Sequence, residues 1–187
     1  MLYKFLSGLA KGVTHCIFRV KVVGKENVPK DGGMILAVNH KSNWDPIFAG
    51  AYCPRPLRFM AKADLFKNKL FGGLIKKLGA FPIQRGRGDI GAIKGAFSIL
   101  KNNDAMLIFP EGHRIKNGKR VKAKLGVSMI AVYAKVPVIP LCISGEYKPF
   151  HKVTVTFGKP ITFEEYYGKK PDNETLQTLA DEVMQTI

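Results

Sequence analysis

Acidic side chains are in short supply in this chain of 187 residues. There are 14, against 30 lysines and arginines, for a net charge of +16. A surplus of that size goes with an anionic partner: nucleic acid, an acidic membrane face or a phosphorylated substrate. Charge alone does not choose among them. Cysteine is scarce too. Cys16, Cys53 and Cys142 lie far apart, form no metal-type pair and leave an odd thiol under any pairing. That excludes a disulfide framework and points to a reduced compartment. No apolar run is long enough for a spanning helix. Lys11 interrupts any signal-peptide core, and no small-residue cleavage site follows it clearly. Internal repeats, low-complexity tracts and linkers are missing, so one domain is expected.

Hydrophobic residues make up 46% of the chain, which suits a globular core. Leu2, Phe5, Leu6, Leu9, Val13, Cys16, Ile17 and Val20 recur at helical spacing, with Lys4, Ser7, Lys11 and His15 largely off that face. Residues 1–20 are therefore expected to be an amphipathic helix with a basic side. Such a stripe either packs on the domain's own core or lies in an anionic membrane interface. The remaining residues, 21–187, alternate strand and helix. Expected strands are Lys21 to Val23, Met34 to Val38, Leu57 to Ala61, Ala80 to Arg85, Ala105 to Phe109, Pro137 to Ile143 and Val153 to Phe157. Expected helices are Pro46 to Tyr52, Leu65 to Leu78, Ile90 to Lys101 (capped by Asp89), Gly126 to Lys135 and Asn173 to Gln185. The alternation predicts a single α/β domain with a largely parallel mixed sheet flanked by helices.

One polar stretch stands out: Asn39-His40-Lys41-Ser42-Asn43-Trp44-Asp45-Pro46. It follows the apolar run Met34 to Val38, at a strand end opening into a loop, where open α/β sheets carry their chemistry. Histidine is suited to take a proton near neutral pH. A carboxylate on the ring's other nitrogen fixes the tautomer and stabilises the imidazolium that forms. A loop curling back would bring His40 and Asp45 together. The competing reading makes Asp45 only the cap of a helix with Pro46 at its first position. Two other apolar runs also end in reactive or basic residues, one at Arg85 and one at Glu111 to Arg114. If the strands are parallel, these ends share one edge, and Arg85 and Arg114 can clamp a phosphate. Gly112 would let backbone approach a ligand closely. Glu111 would repel a phosphate, so it is read as pinning an arginine or accepting a substrate hydroxyl.

These residues resemble a known family. Asn39-His40-(four residues)-Asp45, Phe81 to Arg85, Phe109-Pro110-Glu111-Gly112 with Arg114, and Val136-Pro137-Val138-Ile139-Pro140 are similar to the four ordered motifs of the glycerolipid acyltransferases, most of all those acting on 1-acyl-sn-glycerol-3-phosphate. The likeness runs from about Val20 to about Phe157. It implies transfer of a fatty acyl group from a CoA or acyl-carrier-protein thioester to the free hydroxyl of lysophosphatidic acid, giving phosphatidic acid. His40 would be the general base and Asp45 its orienter. Arg85, Glu111, Gly112 and Arg114 would hold the phosphate end, and the motif around Pro137 and Pro140 would shape the acyl or donor side. No cofactor and no metal is implied. The partners are those two substrates and an anionic membrane surface, with no nucleic acid, and the expected place is the cytoplasmic face of the cell membrane, held peripherally. The chain departs from the pattern at His113 and Ile115, where the family commonly has hydroxyl residues.

Two other readings remain at this point. A metal-dependent hydrolase would use His40, Asp45, Glu111 and His113, although their spacing matches no metal motif. A nucleic-acid-binding module would use the positive charge, although the aromatics are not interleaved with the basic runs.

Overall fold

A computed structural model of the chain describes residues 2–83, 90–115 and 121–187. Seven strands form one sheet in the order β1-β7-β6-β2-β5-β3-β4. They are β1 (Arg19–Val23), β2 (Met34–Val38), β3 (Leu57–Lys62), β4 (Ala80–Ile83), β5 (Ala105–Ile108), β6 (Val138–Gly145) and β7 (Lys152–Phe157). Only β6 and β7 pair antiparallel; every other neighbouring pair is parallel. The helices are α1 (Leu2–Ile17), α2 (Asp45–Tyr52), α3 (Lys69–Lys77), α4 (Ile90–Lys101), α5 (Gly126–Ala134) and α6 (Asn173–Gln185).

β2 sits at the centre because nothing in it is polar. All five of its residues are buried, as expected for a parallel strand covered on both faces. Period-two alternation sends Met34, Leu36 and Val38 into one core and Ile35 and Ala37 into the other. The first core is covered by α1 and α2 through Phe48, Tyr52 and Ala10; the second takes Ala96 of α4, Val127 and Ala131 of α5 and Leu179 and Val183 of α6. Each fully buried leucine, valine or phenylalanine contributes roughly 1.5–3 kcal/mol of burial. α1 is part of this packing. Its Thr14 is completely buried and shares a 2.7 Å hydrogen bond with the Tyr52 hydroxyl. The helix ends at Ile17 and the chain is already in β1 at Arg19, so the first segment is shorter than 1–20.

Two local expectations are corrected. Leu65 to Leu78 is not one helix: a 3-10 turn, Ala63–Phe66, precedes α3. The break falls at Asn68, whose Oδ1 accepts from the Phe71 amide at 3.0 Å and so starts a new helix. Gly72 permits the tight return, since a Cβ there would lie 2.8 Å from the Phe66 backbone. Asp45 is not a helix cap either. Trp44 occupies that position, and the Asp45 carboxylate is turned back to residues before the helix. Asp89 and the end of the Ala80 to Arg85 strand lie outside the described residues.

Candidate active site

Parallel pairing puts the carboxyl ends of β2, β5, β3 and β4 along one edge of the sheet. His40 lies two residues beyond β2, and Glu111 to Arg114 follow β5 on the same edge. Between β2 and α2 the chain makes a tight turn around Asp45. Asp45 Oδ2 accepts from the Lys41 amide at 2.7 Å, from the Ser42 amide at 2.6 Å and from His40 Nδ1 at 3.0 Å. Oδ1 accepts from the Tyr147 hydroxyl. The carboxylate is fully buried and the imidazole keeps 13% of its surface exposed. Four donors balance the desolvation of that charge, and its position in the first turn of α2 adds a favourable helix dipole. With Nδ1 on Asp45, the ring's outward nitrogen is Nε2, and among the described residues nothing bonds it.

The segment after β5 fastens the same histidine from its other side. Phe109-Pro110-Glu111-Gly112 is a β-turn closed by the Gly112 amide on Phe109 O at 2.9 Å, with proline second and glycine fourth. Gly112 has φ +73, which glycine adopts without penalty. The turn swings Glu111 back so that its Oε2 accepts from the His40 amide at 2.7 Å, and the Ile115 amide donates to His40 O at 2.7 Å. Phe109 stacks on the imidazole, with centroids 3.9 Å apart and planes 18° from parallel. Burial pushes the Glu111 carboxyl above its ordinary range, against the lowering pull of the His40 amide and charge. Asn39 closes the other flank. Its amide exchanges two hydrogen bonds with the Ile143 backbone, at 3.0 and 2.7 Å, tying the end of β2 to β6.

Tyr147 comes from the β6–β7 connection. Its ring packs among Phe18 and Phe48, and Lys41 Nζ sits 4.9 Å above it while donating to Gly145 O at 2.6 Å. Burial first, then the bond to Asp45, raises the phenol far above its usual value, so it stays protonated and donating. Desolvation lowers the Lys41 ammonium.

The expected residues therefore divide. His40, Asp45, Glu111, Gly112 and Arg114 meet at one edge, with exposed Arg114 donating to Asn43 Oδ1 at 2.8 Å. Glu111 is engaged with the His40 backbone. Arg85 lies outside the described residues, as do Lys116, Lys119 and Arg120. Pro137 and Pro140 are elsewhere. Pro137 O accepts from Ile35 at the opposite end of β2, and buried Pro140 stands opposite Ala37, its carbonyl accepting from Gly158. His113 is exposed, and among the described residues no three His, Cys, Asp or Glu side chains are grouped to hold an ion, so the hydrolase reading lacks its ligand set. Sequence reasoning passed over Tyr147, and it quoted Asn39 and Phe109 within its motifs without giving either a role. The Phe-Pro-Glu-Gly turn carried a signal for Glu111's reach; Tyr147, 102 residues from Asp45, carried none.

Beside the edge lies an apolar cavity of about 200 Å³ between α1, α2 and the sheet. Its walls include Pro46 and Ile47, next to Asp45, and Leu107, two residues before Phe109.

A histidine held by a buried carboxylate, at the carboxyl edge of a largely parallel sheet and beside an apolar cavity, is an arrangement chemically able to take a proton next to an apolar ligand. Comparison with known proteins gives the family. The Acyltransferase profile matches residues 19–144, and the chain belongs to that family. Over its whole length it is 31% identical to the 1-acyl-sn-glycerol-3-phosphate acyltransferase of Bacillus subtilis (strain 168), spanning 95% of that protein. It is 34% identical to the protein of the same name from Streptococcus pneumoniae (strain ATCC BAA-255 / R6), over 98% of this chain and 70% of that one. The crystal structure of the 1-acyl-sn-glycerophosphate (LPA) acyltransferase, PlsC, from Thermotoga maritima matches with a TM-score of 0.75 and 27% identity, over 98% of this chain and 77% of that chain. The chain is an acyltransferase with the single-domain α/β fold expected of it.

Proposed function

We propose that this acyltransferase moves a fatty acyl group from a CoA or acyl-carrier-protein thioester to the free hydroxyl of 1-acyl-glycerol-3-phosphate, giving phosphatidic acid. The observation that carries the mechanism is the Nδ1–Asp45 contact at 3.0 Å, which turns Nε2 outward as the base. A hydroxyl is a weak nucleophile until its proton has an acceptor. His40 Nε2 takes that proton as the oxygen bonds to the thioester carbonyl. The tetrahedral centre then collapses, the carbon–sulfur bond breaks, and the imidazolium returns the proton to the departing sulfur. Asp45 and Glu111 provide negative charge beside the transient imidazolium. No acyl group is attached to the protein, and Cys142, whose thiol burial pushes upward, is not needed as a nucleophile.

Arg114, at the site edge, and Arg85, two residues after β4, are read as the phosphate clamp. Glu111 is better read as holding the His40 backbone than as a phosphate ligand, because a carboxylate would repel that group. The acyl chain is assigned to the apolar cavity, since a dry cavity of about 150 Å³ already admits benzene. No helix among the described residues is long and apolar enough to cross a membrane. The outer stripe of α1, with Phe5 and Leu9 exposed, supports peripheral binding to an anionic surface, and the cytoplasmic face suits three free thiols.

The deciding experiment is His40→Ala assayed with both thioester donors and a panel of lysolipids. Loss of transfer by about 10²–10⁴-fold, with an unchanged thermal melt, is expected for a general base. Near-normal turnover on every pair would refute the mechanism.

A further inference from the structure

The exposed apolar side chains are not spread evenly. Of the thirteen large ones exposed among the described residues, nine belong to α1, α2 and the 63–77 segment. These elements share one sheet face, because Phe59 packs into both the α1–α2 core and the small Ala61–Ile75–Ala80 cluster beneath α3. On α3, Leu70 is 89% exposed, Phe71 47% and Leu74 43%, with Leu65 just before at 44%. At 3.6 residues per turn, Leu70, Leu74 and Phe71 fall within an arc of about 100°. The opposite side of the helix is spent on the fold through Gly72 and Ile75. On the same wheel Lys77 borders the arc, while Lys69 and Lys76 fall on the far side; Lys62 and Lys67, just before the helix, are exposed too, against the one acid of the segment, Asp64, which is paired with Lys62 and Lys67.

An apolar arc left in water has no structural use, and the lysines at its border and just before the helix oppose burial against most protein surfaces. The combination matches an interfacial helix whose apolar side chains enter the acyl boundary while lysines meet anionic headgroups. We propose that the 63–77 segment is a second lipid contact, which with α1 seats this face on an anionic bilayer. Leu78, directly after α3, lines the apolar cavity together with Tyr3, Leu6 and Ala10 of α1. The two contacts thus flank the cavity, and acyl chains enter it from the bilayer. This rests on the membrane reading of α1 only in that both segments meet the same surface.

Flotation with phosphatidylcholine vesicles, with and without phosphatidylglycerol, tests it. Three proteins are compared: the parent, Leu70→Gln/Leu74→Gln, and Phe5→Gln/Leu9→Gln. Binding of the α3 double variant to the anionic vesicles is expected to fall about tenfold. Its thermal melt, and its turnover of short-chain, water-soluble substrates without vesicles, should be unchanged. If the α3 variant floats like the parent while the α1 variant is released, the second contact is refuted and α1 stands alone. If neither variant is released, both membrane readings fail. If the parent sediments as a dimer that the α3 variant dissociates, the face is occupied by a second copy of the chain and the proposal is overturned.

Discussion

Asp45 organises the site because it is buried and held by four donors: one imidazole and two amides on Oδ2, and one phenol on Oδ1. Tyr147 supplies the only one of these from a distant element. Tyr147→Phe keeps the ring packing and leaves Oδ1 of a fully buried carboxylate short of a donor, which costs about 1–3 kcal/mol of stability. Turnover should drop about tenfold with little change in KM, because the histidine is less firmly held while substrate contacts survive. Urea melts and steady-state kinetics check both. A parent-like kcat would make the phenol a packing group only. Glu111 makes a pH prediction. Its folded pKa lies above the ordinary 4.5, so folded protein holds that proton more tightly than unfolded protein. The stability due to the protonated form is complete below 4.5 and is lost as pH rises through the folded value. Glu111→Gln, which still offers an acceptor to the His40 amide, should therefore gain on the parent as pH rises across that window. Parallel pH dependences in denaturation would count against it. The His40–Asp45 pairing was legible because both residues lie in one loop, five positions apart. Tyr147 was not, because only the finished sheet brings the β6–β7 connection over that loop.

At the level of elements, legibility followed burial. β2 and α6 have the bounds read from the sequence because one is an unbroken apolar run and the other a clean amphipathic repeat capped by Asp172. The 65–78 stretch misled because its helical periodicity continues through Asn68, where a side-chain cap overrides it. The Asp45 cap failed for a related reason: the same carboxylate can serve the helix or the loop, and His40 with two loop amides outbids one helix amide. The cavity under α1 leads to a test at this scale. Ala10 faces it from α1 and is only partly buried, so Ala10→Leu adds volume into space rather than into packed core. Turnover of the longest thioesters should fall about tenfold or more while the shortest are unaffected, since one methylene in an apolar pocket is worth about 1–3 kcal/mol. Thermal stability should hold or rise as the void is filled. A uniform loss across chain lengths would place the acyl group elsewhere.

Across the whole molecule, two forces should act together at a bilayer and can be separated by salt. The net charge of +16 attracts anionic headgroups over distances set by the Debye length, about 10 Å at 0.1 M salt. Phe5, Leu9 and Leu70 act only on contact, and salt does not weaken their burial. Binding to phosphatidylglycerol vesicles should therefore fall steeply as salt is raised and then level off, leaving a fraction that the apolar anchors hold. Leu70→Gln/Leu74→Gln should keep the steep part and lower the plateau. Lys67→Gln/Lys77→Gln should do the reverse, weakening binding at low salt by about 1 kcal/mol per lysine and leaving the plateau unchanged. Flotation over a salt series reads both. If binding falls to nothing at high salt in the parent, the attraction is electrostatic alone, and the exposed leucines of α1 and α3 have no part in holding the enzyme to lipid.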